Sequence, residues 1–323
     1  MSALRLTLRQ LQIFTAVAHA GSTAAAGATI GLSQSATSAA IKELERLLAQ
    51  PLFDRSGKRL LLNSNGRALL PRALALLEGA HDIERLASGQ DDSPASLRIG
   101  ASTTIGNYVL PGLLPRLWGA DAALQAPEWH AQVMVGNTER VCDAVADFTL
   151  DLGLIEGPCH DPQLDTRPWL RDELVVVASP AGLARLTAGA AVPLKVLRQQ
   201  VWLLREAGSG TRVATDQALL PHLHAWRRSI ELGNSEAIKH AAAEGLGLAC
   251  LSEWVVADAI AARRLVRVPT ALPRMLRQCH LVLHRHKQPT AGLQRLMAAL
   301  VADAPDRAND PAGRDQLSPP TGI

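Results

Sequence analysis

At 323 residues, 47% of them hydrophobic, the chain is too long for one small core and too apolar for a disordered protein, so two or three domains are expected. No apolar run reaches the roughly 20 residues that span a bilayer, and residues 1–15 lack the apolar stretch and cleavage site of a secretory signal, which predicts a cytoplasmic protein with no membrane partner. The net charge of +3 is uneven: residues 1–70 carry Arg5, Arg9, Lys42, Arg46, Arg55, Lys58, Arg59 and Arg67 against Glu43, Glu45 and Asp54, a net +5 that leaves −2 for the rest. A basic head on a mildly acidic body is the pattern of a nucleic-acid reader, although composition alone fits a solvated charged surface equally well.

The head reads as helices broken by turn signals. Leu8, Leu11, Ile13, Phe14 and Val17 recur at helical spacing. Gly21-Ser22 ends that helix and caps a short alanine-rich one over 23–30, which Gly31 breaks. Ser33 is placed to cap a third helix running to about Leu48, so the two short helices and their glycine turn form a helix-turn-helix. In LFDRSGKRLLLN (52–63) a Ser-Gly turn joins two short strands, a wing.

From Ser64 to Ser88 one long helix is predicted, with Leu69, Ala73, Leu76, Ala80, Ile83 and Ala87 spaced as the heptad seam of a coiled coil that pairs two copies. An amphipathic helix packed on its own domain is the alternative. Pro71 lies near the start of this helix and should bend it. Residues 89–96 are polar and turn-forming, a linker.

Beyond the linker, strands alternate with helices: LRIGA (97–101), AQVMV (131–135), DLGLI (151–155), ELVVVAS (173–179), VWLL (201–204), SIELG (229–233), GLACL (247–251), LVRV (265–268) and CHLVLH (279–284). Continuous apolar strands between helices predict an α/β domain of mostly parallel, doubly covered sheets. Residues 302–323, rich in Pro, Asp, Gly and Arg, read as a loose tail.

The second helix of a helix-turn-helix lies in the major groove, where small side chains let the backbone approach base edges. Gln34 can bond adenine bidentately, Ser35, Thr37 and Ser38 can reach bases or phosphates, and the free N–H groups from Ser33 onward point at a phosphate. Lys42 completes the candidate DNA contacts on this helix. A tight helix-to-helix contact explains the same small residues, and the adjacent basic wing favours DNA.

The run LRQLQIFTAVAHAGSTAAAGATIGLSQSATSAAIKELERLLAQPLFDRSGKRLLLNSNGRALL resembles the winged helix-turn-helix of LysR-type transcriptional regulators, with their SQ-x-A-x-S signature and LF-x-R wing. LRIGASTTIGNYVLPGLLPRL, DLGLIEGP, LREAGSGTR and EAIKHAAAEGLGLACLS are similar to that family's effector domain, so the resemblance covers about residues 4–300. It implies base or backbone contacts from Gln34, Ser35 and Ser38, and phosphate contacts from Arg55, Lys58 and Arg59. It also implies a two-subdomain, Rossmann-like (periplasmic-binding-protein-like) effector domain over 97–301, with subdomain I at about 97–169 and 269–301 and subdomain II at about 170–268. The winged helix-turn-helix then occupies 1–63 and the dimerisation helix 64–88. Double-stranded promoter DNA, a small effector, a homodimer or homotetramer and RNA polymerase are the implied partners.

Three departures stand out. Ala39 and Ala40 replace frequent Arg or Gln, which shifts weight toward DNA shape. Thr23 replaces a frequent Phe, and Gly27 inside the first helix of the motif should cost about 1 kcal/mol relative to Ala. Ala49 stands where Gly usually ends the recognition helix, at a cost of roughly another 1 kcal/mol if its backbone is left-handed.

Four junctions read strand, small polar residues, helix: Gly100-Ala-Ser-Thr-Thr104, Gly136-Asn-Thr138, Gly208-Ser-Gly-Thr211 and Gly233-Asn-Ser-Glu236. One alone is ordinary helix capping; several facing one crevice form an anion site. The resemblance lines that crevice with Ser102, Thr104, Asn137, Thr138, Glu156, Ser209 and Thr211, and Thr103 belongs to the first junction. STTIGNYVLP and EAGSGTR are similar to regulators of inorganic sulfur or carbon assimilation genes, which implies a small oxyanion or carboxylated metabolite. Arg205 and Arg212 could add charge, whereas Glu156 and Glu206 oppose an anion, and a structural Arg–Glu pair is an equal alternative.

Catalysis finds no residues. Gly208-Ser-Gly210 lacks the G-x-S-x-G spacing, and no Walker loop or GxGxxG occurs, so neither an enzyme nor a cofactor is expected. His280, His284 and His286 share a strand face, but packing explains them better than a metal. Cys142, Cys159, Cys250 and Cys279 form no CxxC pair and read as buried thiols, with a regulatory thiol pair the lesser reading. A solute-binding protein or an α/β enzyme using the C-terminal lobes is the alternative to a ligand-responsive regulator.

Overall fold

Thr7 opens the first helix with a capping box: its hydroxyl accepts from the Gln10 N–H, and the Gln10 side chain accepts from the Thr7 N–H at 3.0 Å. The computed structural model describes residues 5–56, 59–87, 97–118, 132–187 and 190–302. Helix α1 (Leu8–Ala20) ends at left-handed Gly21, Ser22 caps α2 (Thr23–Ile30), left-handed Gly31 ends that, and Ser33 caps α3 (Gln34–Leu48). Strands β1 (Phe53–Ser56) and β2 (Arg59–Leu62) pair antiparallel as the wing. Leu11, Phe14, Val17, Ala26, Ile41, Leu44 and Leu52 form the core of the head.

Two local departures from ordinary chemistry resolve differently. Ala49 closes α3 at φ 52°, ψ 30°, so the left-handed cost is real. Gly27 is not the burden its helix propensity suggests: a Cβ there would lie 2.6 Å from the Leu32 carbonyl oxygen and 3.0 Å from Thr37 Oγ1. The glycine is what lets α2 approach the turn and α3.

Helix α4 (Ser64–Ala87) contains Pro71 and packs on α1. Its predicted seam divides. Ala73 is wholly buried in the head core and Leu69 packs against it, so these two belong to the chain's own domain and not to a partner. Leu76 and Ile83, 55% and 70% exposed, remain on the surface, with Ala80 half-buried between them. Heptad spacing identifies one face of a helix, but it does not say which protein surface covers that face.

The C-terminal half begins with β3 (Ile99–Ser102), a π-helical turn over Ile105–Val109, α5 (Leu110–Trp118), β4 (Val133–Gly136), α6 (Thr138–Ala146) and β5 (Leu152–Glu156). There follow β6 (Leu164–Ala178), α7 (Pro180–Leu186), α8 (Leu194–Leu197), β7 (Trp202–Arg205), α9 (Gly210–Leu223), β8 (Ser229–Leu232), α10 (Ser235–Ala243), β9 (Leu248–Ser252), α11 (Glu253–Ala261), β10 (Val266–Arg267), β11 (Met275–His284) and α12 (Ala291–Ala302). The sheet order is β4-β3-β5-β11-β6-β9-β7-β8, with β10 on β6.

Lobe I has β4, β3 and β5 parallel; lobe II has β8, β7 and β9 parallel. Between them β6 and β11 run antiparallel to each other, to β9 and to β5 respectively, so the sheet is mixed and not mostly parallel. A strand buried on both faces is continuously apolar in either orientation, and that is why the pattern misled. Each long strand runs through both lobes, and two apolar cores, around Leu152 and Leu154 on one side and around Val176 and Trp202 on the other, flank this shared pair.

A largely buried charge cluster, with Arg98 at its exposed edge, joins α4 to lobe I. Arg98 Nη2 lies 2.8 Å from both Glu78 and Asp151, and Lys287 Nζ lies 2.5 Å from Glu78 and 2.9 Å from Asp151. Burial would raise the Asp151 carboxyl, but Arg98 and Lys287 hold it well below its usual range. Lys58, the linker over 89–96 and the tail from residue 303 fall outside the described residues, and Ala302, expected in the tail, closes α12.

The two helix-end residues have opposite expected outcomes. Ala49→Gly should stabilise the head by about 1 kcal/mol, because glycine carries no left-handed penalty. Gly27→Ala should destabilise it by about 1 to 3 kcal/mol through overpacking against Leu32 and Thr37. Thermal unfolding of both variants checks this; a stabilising Gly27→Ala would mean propensity outweighs the close approach.

Candidate DNA interface and interlobe cleft

Residues Gln34, Ser38 and Lys42 follow one another at four-residue steps along the outer face of α3. Gln34 is exposed and its Nε2 donates to Thr23 Oγ1 at 3.3 Å; Ser38 is half-buried and Lys42 exposed. The Ser33 hydroxyl caps the helix, accepting from the Ala36 N–H, and sits 3.0 Å from that of Ser35. Thr37 does not belong with these residues. It is fully buried, its hydroxyl donates to the Ser33 carbonyl at 3.0 Å, and it faces Gly27, so it fastens α3 to α2 and cannot touch DNA.

The wing completes the surface. Exposed Arg55 and Arg59 share one groove of about 350 Å³ with Ser22, Thr23, Gln34 and Ser38. Thus the start of α2, the face of α3 and both wing strands converge on one concave, basic surface. The contribution of Ser22 and Thr23 was not legible in sequence, since both read there as helix-starting residues.

Between the lobes, the small polar junctions do meet. The Ser102 hydroxyl, at the end of β3, donates to a Glu156 carboxylate oxygen, and the Thr211 hydroxyl donates to the other at 3.4 Å. Thr138 Oγ1 donates to the Glu156 carbonyl at 2.9 Å and accepts from the Gly210 N–H at 3.1 Å. A Cβ at Gly210 would collide with that same carbonyl, so glycine is required where α9 abuts β5. Asn137 and Ser209 do cap α6 and α9, as ordinary junctions would, while the Thr103 hydroxyl donates to the Gly136 carbonyl at 3.0 Å.

The floor adds a charged pair outside the predicted set. Arg277 on β11 pairs with Asp172 on β6 at 2.7 Å, both buried, and also donates to Thr211 Oγ1 at 2.9 Å and Thr104 Oγ1 at 3.5 Å. Glu156, fully buried beside this pair, has its carboxyl pushed up by burial, which the nearby Arg277 only partly offsets. Arg205 pairs with Glu206 at 2.8 Å and donates to Ser235 at 3.0 Å and Thr103 at 3.5 Å, which ties the fourth junction to the first. Arg212 turns instead to Asp216 and Glu231 at 3.0 and 3.2 Å.

The missed pair left no distinct sequence signal: Asp172 lies in an Arg-Asp-Glu run and Arg277 in a Leu-Arg-Gln run, each just ahead of a predicted apolar strand. Buried strands tolerate a charge only beside its partner. Elsewhere, His284 packs its ring 3.9 Å from that of Phe148, and burial pushes its imidazole down to about 4.

The comparisons agree with this architecture. Residues 8–67 match the model for bacterial regulatory helix-turn-helix proteins of the lysR family, and residues 90–305 match that for the LysR substrate binding domain. The chain is 46% identical to the HTH-type transcriptional regulator YeiE of Escherichia coli (strain K12) over 309 residues, covering 95% of this chain and 100% of that protein. Among solved structures, a full-length OxyR variant from Pseudomonas aeruginosa superposes with a TM-score of 0.64 at 24% identity, over 93% of this chain and 95% of that one. The Synechocystis PCC6803 CcmR regulatory domain, solved in complex with 2-PG, has a TM-score of 0.55 at 27% identity and covers 65% of this chain and 98% of its own. The winged head, the two-lobed body and these matches together establish that the chain belongs to the LysR family of ligand-responsive, DNA-binding transcriptional regulators and is not an enzyme.

Proposed function

We propose that this regulator reads promoter DNA through Gln34, Ser35, Ser38, Lys42, Arg55, Lys58 and Arg59, assembles as a homodimer or homotetramer through Leu76, Ala80 and Ile83 of α4, and senses a small anionic metabolite between its lobes. The observation that carries the anion is the buried Arg277 guanidinium beneath hydroxyls of both lobes. With Glu156 neutral, the Arg277–Asp172 pair is balanced, and the hydroxyls of Ser102, Thr104 and Thr211 can turn from the Glu156 carboxyl to donate to an anion. The CcmR domain solved with 2-PG supports a small-molecule occupant for a domain of this fold.

Signal transfer follows from the connections. Ligand that draws the lobes together acts on β6 and β11, which run through both. Lobe I is clamped to α4 through Glu78, so a shift in closure biases the spacing of the paired heads.

Four measurements test this reading. DNA affinity should fall with salt at a log-log slope of about −0.9 per phosphate contacted. Arg55→Ala should reduce that slope by about one contact, whereas Thr37→Ala should lower stability and leave the slope intact. In thermal unfolding, one of sulfite, sulfate, thiosulfate, phosphate or a small carboxylate at about 100 times its Kd should stabilise by roughly 2.7 kcal/mol, a gain lost in Ser102→Ala and Thr104→Ala. Because the Glu156 carboxyl is raised, it ionises and repels the anion as pH rises through its elevated range, so affinity should fall with pH and Glu156→Gln should flatten that dependence. Finally, saturating anion should change the length of the DNA footprint, and Glu78→Gln should bind the anion yet lose that response; an unchanged wild-type footprint would refute transfer through α4.

A further inference from the structure

Seventeen positions apart in sequence, Cys142 and Cys159 share one apolar cluster of lobe I with Val141, Val145 and Ile155. Cys142 is buried on α6, one helical turn past Thr138; Cys159 is half-buried in the segment that leaves β5, three residues past Glu156. The two thiols interact, and Cys159 is the one solvent can reach.

We propose that Cys142 and Cys159 form a reversible disulfide, a redox-modification site at the edge of the interlobe cleft that a hydroperoxide oxidises.

Their environments divide the roles. The neighbouring Cys142 thiol and the Asp161 backbone bring the Cys159 thiol down to about 7 against the opposing effects of burial and of the Asp143 and Asp161 carboxylates. Cys142 is correspondingly raised and stays a thiol. Cys250, pushed up to about 12 by burial, and Cys279, raised for the same reason, lack an activating partner.

In the first step the Cys159 thiolate attacks one peroxide oxygen. The O–O bond breaks, the departing alkoxide or hydroxide takes up the proton Cys159 released, and Cys159 becomes a sulfenic acid. In the second step the Cys142 sulfur attacks that sulfur; an S–S bond forms, the S–O bond breaks, and the hydroxide leaves as water with the Cys142 proton. Two thiols lose two electrons, and the peroxide gains them as one alcohol or water and one water. The new bond ties α6 to the chain just past Glu156, spanning the contact in which Thr138 already holds the Glu156 carbonyl. Oxidation thus sets the geometry of one wall of the cleft without any ligand.

The test treats the full-length protein with stoichiometric hydrogen peroxide and maps its peptides by mass spectrometry. The expected product is one Cys142–Cys159 disulfide, reversed by dithiothreitol. Cys142→Ala should stop at a Cys159 sulfenic acid trapped by dimedone, and Cys159→Ala should react at least about tenfold more slowly, at the rate of ordinary thiols. Iodoacetamide labelling of wild-type Cys159 should show a midpoint near pH 7 that rises in Cys142→Ala. A disulfide joining any other pair, or wild-type Cys159 left unmodified, would overturn the proposal.

Discussion

The meeting of the two lobes in the C-terminal half depends on one buried ion pair, Arg277 with Asp172. A guanidinium and a carboxylate removed from water demand good geometry and further hydrogen bonds, or their desolvation exceeds their attraction. Here the pair meets that demand by drawing in hydroxyls. Thr104 and Thr211 accept from the guanidinium, and the Ser252 hydroxyl donates to the second Asp172 oxygen at 2.8 Å. Because Arg277 and Asp172 stand on the two strands common to both lobes, the charge centre lies where lobe I and lobe II meet. The small polar junctions can then face one another across it.

That arrangement explains why the cleft is stocked with residues of modest size. Glycine at 210 allows α9 to approach β5, and hydroxyls at 102, 138 and 211 each serve the Glu156 backbone or carboxylate. Such groups can exchange internal partners for a ligand at little cost, since a hydroxyl that donates inward can rotate to donate elsewhere. Glu156 lies beside the Arg277–Asp172 pair, and burial raises its carboxyl against the lowering effect of Arg277. The Glu78 cluster follows the same principle at a second place, where buried Lys287 and partly exposed Arg98 balance the buried carboxylates of Glu78 and Asp151 as α4 meets lobe I.

The head uses different physics. Its small residues divide between two tasks that look alike in a string of letters. Gly27 and Thr37 are small because helices touch there, whereas Gln34, Ser35 and Ser38 lie along the exposed side that shares a groove with the wing. Thinness on one side of α3 makes the packing possible, and thinness on the other leaves room for a groove. Likewise α4 applies one heptad pattern to two partners, its own head at Leu69 and Ala73 and the open surface at Leu76 and Ile83.

Much was legible in the letters because it depends on neighbours within a few residues. Turn glycines at 21 and 31, caps at Ser22 and Ser33, the two short wing strands and the alternation of apolar strands with helices are local, and so are the helix-turn-helix and strand-to-helix junctions they define. Ala49, standing where the family usually has Gly, does adopt the left-handed backbone, which its place in the sequence left only conditional. What only the tertiary structure decided concerns partners distant in sequence: Arg277 with Asp172, Glu78 with Lys287, Gly27 against Leu32 and Thr37, and the antiparallel course of β6 and β11 through both lobes. Hydrophobic periodicity records that a position is covered and on which face. It carries no record of what covers it, and in this protein the identity of the covering group determines which residues line the cleft, which stay open on the basic groove and which only hold the fold together.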